Sequence, residues 1–452
     1  MRARILGTGV AMALVVIASS TRVGSAAELT HGYLLGDVRP DMIKIWVRTD
    51  TAATVGIEYS TNPDLSDSSF SVARPTRAAR DFTRILQLHW LEPETTYYFN
   101  VLVDSVRWYA PPYPTFKTAP PFQSPRSFEF AVLADQTTIP KFPFQGAPVF
   151  EYVAQHEPAF VVQIGDFDHR FDHWSPPRTV QLFRDMYKDL RSESTVAGLD
   201  FATYIKQFPF YYIYDDHDFG WQWKETYDGG PTRSPYLLNL MIAYYEYYPC
   251  PQRPNWLDGA WNTFQYAHCD FILLDARAQR DRQDDPDDEN KSMLDGDNIP
   301  IGQKEWFKSC LLNSQATWKF VFCGVMFNTT PRRSGTFYHY QTEKQEILDF
   351  IADNNIKNVI WFSGDYHTGG AIDDGTNAGL PEVLVPHTNL LSRGNVNYKR
   401  GKWTHGIMPL GPDAPWGAGY ALTRIETDPD RVTLETRGVE GMRHQLILEP
   451  EP

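Results

Sequence analysis

The chain has 452 residues, of which 42% are hydrophobic, 22% charged and 14% aromatic, a globular composition that excludes a disordered or collagen-like polypeptide. At about 100–200 residues per domain, this length points to two domains rather than one. With 56 acidic against 42 basic residues the formal charge is −14, and that field opposes non-specific binding to nucleic acid or to an anionic membrane.

Residues 1–26 begin with Arg2 and Arg4, continue through an apolar run from Ile5 to about Ala18, and end in Gly24, Ser25 and Ala26. This is the layout of a secretory signal peptide cleaved near Ala26 or Ala27, so an exported protein, periplasmic or secreted, is expected. Beyond it no run approaches the ~18 apolar residues of a membrane span, and no integral membrane segment is expected. Residues 27–122 hold the short strand-like runs MIKIWVRT, TVGIEYS, RILQLHW, TYYFNVLV and PTFKTAP, with no useful helical period. They predict an all-β, antiparallel sandwich.

The prolines of APPFQSPRS (119–127) mark a linker, and from 127 to 443 the pattern changes. FEFAVLAD, AFVVQIGD, FPFYYIYDDHD, FILLDAR, WKFVFCGV and NVIWFSGDYH are apolar strands with polar ends. PVFEYVAQHEP, QKEWFKSCLLNS and EKQEILDFIADN between them read as helices. Strand, polar end, helix, strand is the signature of a layered α/β fold. DDPDDE (284–289) reads as a solvated loop and 444–452 as a tail. Of the four cysteines, Cys269 and Cys323 lie in apolar strands, and disulfide pairing stays open.

Four strand ends carry residues able to bind a metal: Asp135; Asp166 with Asp168 and His169; Asp215, Asp216, His217 and Asp218; and Asp365 with His367. One aspartate after a strand is ordinarily a turn former or a helix cap. Four such ends in one α/β domain are another matter, because ligands bind at the carboxyl ends of its strands. Crowded carboxylates raise one another's pKa unless cations hold them ionised. Mixed imidazole and carboxylate donors suit Fe, Zn or Mn, and carboxylate-rich sets suit Ca, Mg or Mn. Two ions sharing one aspartate suit in-line displacement at phosphorus.

The ordered strings LADQ, GDFDH, DDHDFGWQ, LLDARAQR and SGDYH resemble the alkaline phosphatase D (PhoD) family of metallophosphoesterases. HGYLLGDVRPDMIKIWVRTD and LEPETTYYFNVLVD are similar to its fibronectin-like N-terminal domain, and GYALTRIETDPDRVTLE to its closing strands, so the resemblance covers roughly 30–440. It implies an α/β, layered metallophosphoesterase-like β-sandwich flanked by helices and preceded by an all-β fibronectin/Ig-like domain. It implies two or more divalent or trivalent ions, Ca plus Fe or Zn/Mn. Asp135 and His367 would bind the first ion, Asp166 would bridge, and Asp216 and Asp365 would bind the second. His169 stands where the family often has a metal-binding Tyr, and Asp135 where it often has a Cys, which widens the choice of metal. Asp168, Asp215 and Gln222 would lie just behind the ligands, Gln222 where the family commonly has an Asn.

Under that reading a metal-held hydroxide attacks phosphorus, and His217 assists as general acid or electrostatic stabiliser. Arg277 clamps a phosphate oxygen, with a structural ion pair to Asp275 or another acid as its plainer role. Tyr366 points away into the core, and His339 and His387 read as structural. The aromatic stretch 219–261, with FGWQW, YYEYY and NWLDGAW, is either a lid over a lipid or nucleotide leaving group or packing beneath a long loop. The family includes monoesterases, phosphodiesterases and phospholipase D-type enzymes. The acidic surface suits a small or zwitterionic phosphoester, and a monomer without a nucleic-acid-binding domain is expected. The rival class is a non-catalytic exported binding protein with a degenerate site. A serine esterase is disfavoured because no GxSxG elbow is present.

Overall fold

The computed structural model describes residues 26–137, 146–169, 178–219, 235–251, 256–295, 302–389, 401–407 and 418–451. All but the last residue of the expected signal peptide therefore lies outside the described residues, and so does Gln222. Among the described residues no helix is long and apolar enough to cross a membrane.

The N-terminal domain pairs β1 (Leu29–Gly36), β2 (Met42–Thr49) and β4 (Thr83–His89) in one antiparallel sheet, and places β3 (Thr54–Ser60) and β5 (Thr96–Val103) in a second. Ile43 and Ile45 lie opposite Leu88 and Leu86, and share a core with Val55, Ile57, Phe99 and Val101. That face follows from the period-2 alternation. The other face of β2 is buried too, because Lys44 and Trp46 turn toward the second domain while Arg48 bonds Asp81 and Thr30. Lys44 reaches the carbonyl of Cys250 (2.8 Å) and pairs with Asp37 (2.8 Å), and Trp46 Nε1 donates to the carbonyl of Glu246 (3.0 Å).

The second domain contains, in chain order, β6 (Phe128–Leu133), α1 (Val149–Gln155), β7 (Val161–Gln163), α2 (Val180–Leu190), β8 (Phe210–Tyr212), α3 (Pro235–Tyr247), β9 (Asn262–Tyr266) and β10 (Cys269–Leu274). There follow α4 (Gln303–Asn313), β11 (Trp318–Cys323), α5 (Gln341–Asp353), β12 (Val359–Ser363), β13 (Ala371–Asp374), β14 (Pro381–Leu384), β15 (Gly419–Thr427), β16 (Asp430–Gly438) and β17 (Gly441–Leu448). One six-stranded sheet runs β8-β7-β6-β15-β16-β17, the other β9-β10-β11-β12-β14-β13. In the first, β6, β7 and β8 are parallel; in the second, β10, β11, β12 and β14 are.

The sheets face each other across phenylalanines. Phe130 of the first sheet meets Phe271 (centroids 5.4 Å apart) and Phe320 (5.2 Å) of the second edge to face, while Phe160 stacks on Phe130 (5.3 Å) and Phe362 on Phe322 (5.0 Å) within their own sheets. Alternate residues of the same strands, Ile272, Leu274, Val321 and Trp361, turn outward to meet Phe307 and Leu311 of α4 and Ile347 and Ile351 of α5. Strands covered on both faces explain the unbroken apolar runs.

Two expectations change. Residues 444–448 are not tail but the second half of β17, an edge strand paired with β16 from Val432↔Leu448 to Gly438↔Gly441. Its side chains are mostly half-exposed, which left it without a strong apolar signature. The YYEYY run is the end of α3 and the residue after it, and Tyr244, Tyr247 and Tyr248 are buried in the core shared by the two domains. Arg191 lies over Trp46 (4.2 Å) and Tyr248 (4.5 Å), so this part of the aromatic stretch is packing rather than a lid. The four cysteines are free thiols.

Candidate metal centre

The site forms where β6, β7, β8 and β12 end. Asp135 follows β6, Asp166 follows β7, Asp216 opens a single helical turn after β8, and Asp365 and His367 follow β12. Four of these residues have left-handed backbones: Asp135 (φ 49°), Asp166 (φ 53°), Asp365 (φ 57°) and His367 (φ 47°). Asp and His tolerate that region better than most residues, yet the clustering marks a conformation imposed by the surroundings.

Those surroundings are visible. Asp135 N donates to Gly165 O (3.3 Å) and Gln136 N to Asp166 O (2.8 Å), joining the first two loops. Asp218 accepts from Phe167 N and Asp215 N, both at 2.8 Å, joining the second and third. Thr388 N donates to Ala134 O (2.8 Å), and Asn389 Oδ1 accepts from Thr137 N (2.7 Å), extending the edge of β6. None of Thr388, Asn389 or the backbone role of Asp218 carried a sequence signal beyond proximity to a strand end.

The donor atoms fall into two groups. Asp166, His169, His217 and His367 each offer an atom within 4.8 Å of the others, and so do Asp166, Asp216 and Asp365. Asp166 belongs to both. His367 Nε2 lies 3.4 Å from Asp166 Oδ2 and 3.6 Å from Asp135 Oδ1, which places Asp135 at the edge of the first group. His169 Nδ1 is 3.1 Å from the carbonyl of Gln136. A carbonyl only accepts, so Nδ1 carries the proton and Nε2 presents its lone pair to the site. His217, expected to face substrate, has its ring 4.2 Å from that of His169 and contributes to the first donor group.

Electrostatics fit a cation. Burial pushes Asp135 up to about 7, against the pull of the His367 charge and with added repulsion from Asp166 and Asp365. Burial likewise raises Asp215 and Asp365. Asp166 is equally buried, but His217, His367 and His169, when protonated, outweigh that and hold it well below the usual carboxylate range. Asp135 Oδ1 and Asp216 Oδ1 are buried without a hydrogen-bond partner. Buried carboxylate oxygens left without donors are what coordinated cations satisfy. Three imidazoles and four carboxylates suit Fe, Zn or Mn in the first group and a harder ion in the second.

Arg277 does not pair with Asp275, whose carboxylate is taken by Ala260 N (2.9 Å), Arg277 N (2.9 Å), Ala278 N (2.8 Å) and the Tyr214 hydroxyl (2.5 Å). Its guanidinium is sealed against Asp215 and lies 3.4 Å from Asp216 and 3.9 Å from Asp365. Arg333, which the sequence did not single out, donates to Asp365 Oδ1 at 2.7 Å. Asp168 is fully buried just before His169. Tyr366 turns away into a small cluster with Met326, Ala371 and Leu384. His387 is buried and contacts the carbonyl of Thr368 (2.9 Å) through Nδ1, while His339 is half-buried beside Lys291 and the acidic loop.

The family model for PhoD-like phosphatases matches residues 130–386, more than half of the chain, and the model for their N-terminal domain matches 16–120. The chain belongs to the PhoD-like phosphatase family. Alkaline phosphatase D of Bacillus subtilis (strain 168) is 25% identical over 215 residues, which is 43% of this chain and 36% of that relative, so the alignment spans about a third of the relative's length. Among solved structures, that of PhoD superposes with a TM-score of 0.71 at 17% identity, covering 93% of this chain and 88% of the other. The purple acid phosphatase PPD1 from yellow lupin gives 0.63 at 12% identity, covering 93% and 74%. At those identities the structural likeness establishes the fold: paired layered sheets behind an all-β domain, as the PhoD-like sequence pattern implied.

Proposed function

We propose that the protein is an exported, metal-dependent phosphoric ester hydrolase. The observation that carries this is the pair of donor groups joined through Asp166, an arrangement suited to two neighbouring ions. Asp135, His169 and His367 would hold the first ion, Asp216 and Asp365 the second, with Asp166 between them. When bound, such ions neutralise phosphoryl charge and activate water. The chain's own residues fix where this occurs: the Gln136 carbonyl sets the His169 tautomer, and Asp218 holds the Asp166 and Asp216 loops together. His217 is the imidazole that assists departure of the alcohol. Export rests on the basic, apolar and small-residue order of residues 1–26.

The test is a pair of initial rates, on p-nitrophenyl phosphate and bis-p-nitrophenyl phosphate, with metal-reconstituted protein and Asp166→Asn as blank. Hydrolysis above the blank that chelator abolishes and metal restores is expected. The ratio of the two rates assigns monoester or diester preference. Rates at the level of the blank with both esters would return the binding-protein reading.

A further inference from the structure

Two arginines reach Asp365, and they are not equivalent. Arg277, at the end of β10, is 1% exposed and spends its Nε on Asp215. Its Nη2 lies toward Asp216 (3.4 Å) and Asp365 (3.9 Å), and both terminal nitrogens are buried, away from solvent. Arg333 is 19% exposed, donates from Nη2 to Asp365 Oδ1 (2.7 Å), and lies 5.2 Å over the Tyr366 ring. Its contact occupies one oxygen of Asp365, and the other lies 3.9 Å from Arg277 Nη2. A planar guanidinium matches the geometry of a tetrahedral oxyanion, and stacking on an aromatic ring limits how far it strays.

The loop that presents Arg333 is held at both ends. Before it, Glu382 accepts from Phe327 N (3.0 Å) and Asn328 N (2.6 Å), and Asn328 Nδ2 donates to Lys402 O (2.8 Å). After it, Thr336 Oγ1 donates to Arg333 O (2.8 Å) and Gly335 N to Gln283 Oε1 (2.9 Å). A cation on a tethered loop loses less freedom on gripping a ligand than one on a loose loop.

We propose that Arg333 is the phosphate-binding arginine of this site, contacting non-bridging phosphoryl oxygens of a phosphomonoester, while Arg277 is a positioning residue that fixes Asp215 and Asp216. The inference rests on the phosphoesterase reading. Substrate class enters through charge: a monoester dianion carries a second anionic oxygen for Arg333 to hold, and a diester does not.

The experiment compares wild type, Arg333→Met and Arg333→Lys as full-length, metal-reconstituted proteins. It measures the Kd of inorganic phosphate by calorimetry, KM and kcat for both nitrophenyl esters, and metal content by elemental analysis. Loss of one charge-assisted, forked contact corresponds to about 10–100-fold. Arg333→Met is expected to weaken phosphate by that factor and to raise KM for the monoester more than for the diester, at unchanged metal content. Arg333→Lys, which keeps the charge without the fork, should fall between. Phosphate Kd within twofold of wild type in Arg333→Met overturns the proposal. So does a loss of bound metal whose replenishment restores phosphate affinity, since Arg333 would then only buttress Asp365. A wild type that neither hydrolyses esters nor binds phosphate removes the phosphoesterase reading and this inference with it; a wild type that does both beside an unaltered Arg333→Met removes the inference alone.

Discussion

Gly165 is the most constrained position near the ligands, and Gly165→Ala tests whether the site is set by backbone contact. Gly165 lies between β7 and Asp166 with φ +109°, a conformation L-residues rarely adopt. A Cβ there would stand 2.4 Å from Asp215 Cβ and 3.0 Å from Asp215 N, where ordinary contact begins at 3.4 Å. Asp215 would have to retreat by roughly 1 Å, and Asp216 moves with it, whereas metal sites tolerate ligand errors of about 0.2 Å. The backbone strain costs about 1–3 kcal/mol and the overpacking a similar amount. The expected outcome is a fall of several degrees in Tm for the metal-free protein and at least tenfold weaker metal binding, read by thermal unfolding and metal titration. Gly324→Ala is the internal comparison. Its Cβ would stand 2.6 Å from Asp215 Cγ, striking the same residue from the other side, but without a left-handed φ. It should therefore weaken metal binding with a smaller loss of Tm. Gly165→Ala with wild-type Tm and metal affinity would refute the argument.

Asp216→Asn should lower bound metal from two ions to one, and His169→Ala should do the same at the other group, whereas Asp166→Asn should reduce both; equal stoichiometry in all three, by elemental analysis, would argue against a shared Asp166. His217→Ala should slow esters of poor leaving groups more than p-nitrophenyl esters at constant metal content; a loss of metal instead would make His217 a ligand, as its place beside His169 also allows. Glu382, away from the metal donors, is raised from its ordinary range to about 7 by burial, against the pull of Ser363, Lys344 and the amides of Phe327 and Asn328. The folded state then holds its proton more tightly than the unfolded state. Its contribution is present below about pH 4.5 and is lost as pH rises to 7, a swing on the order of 3 kcal/mol. Glu382→Gln should remove that part of the pH dependence between 4.5 and 7 in denaturant titrations, and an unchanged slope would refute it.

The candidate donors were legible in the sequence because their signal is local: an apolar strand buried on both faces runs straight into Asp135, Asp166, Asp216 or Asp365. Where meaning depends on a neighbour distant in sequence, the chain was silent. MIKIWVRT alternates as a half-buried strand should, yet its polar face is covered, because Lys44 and Trp46 dock on the segment carrying Cys250 and Glu246. Arg277 drew attention by ending a strand, while Arg333 in PRRSG had nothing to distinguish it from a solvated basic pair. Only the fold shows which is sealed and which is reached.

The position of Asp215 explains how two separate sheets yield one site. It comes from the β8 end of the first sheet and pairs with Arg277 from the β10 end of the second, with Gly165 and Gly324 closing on it from either sheet. A buried ion pair of this kind adds little net stability, because desolvation offsets most of the attraction. What it does supply is register: a guanidinium meets its carboxylate in few orientations, and here it also lies within 4 Å of Asp216 and Asp365, one donor from each sheet. Arg277 therefore fixes the distance between the two halves of the second donor group. Its replacement by Lys should loosen that group specifically, lowering affinity for the second ion while the imidazole-rich first group keeps its own.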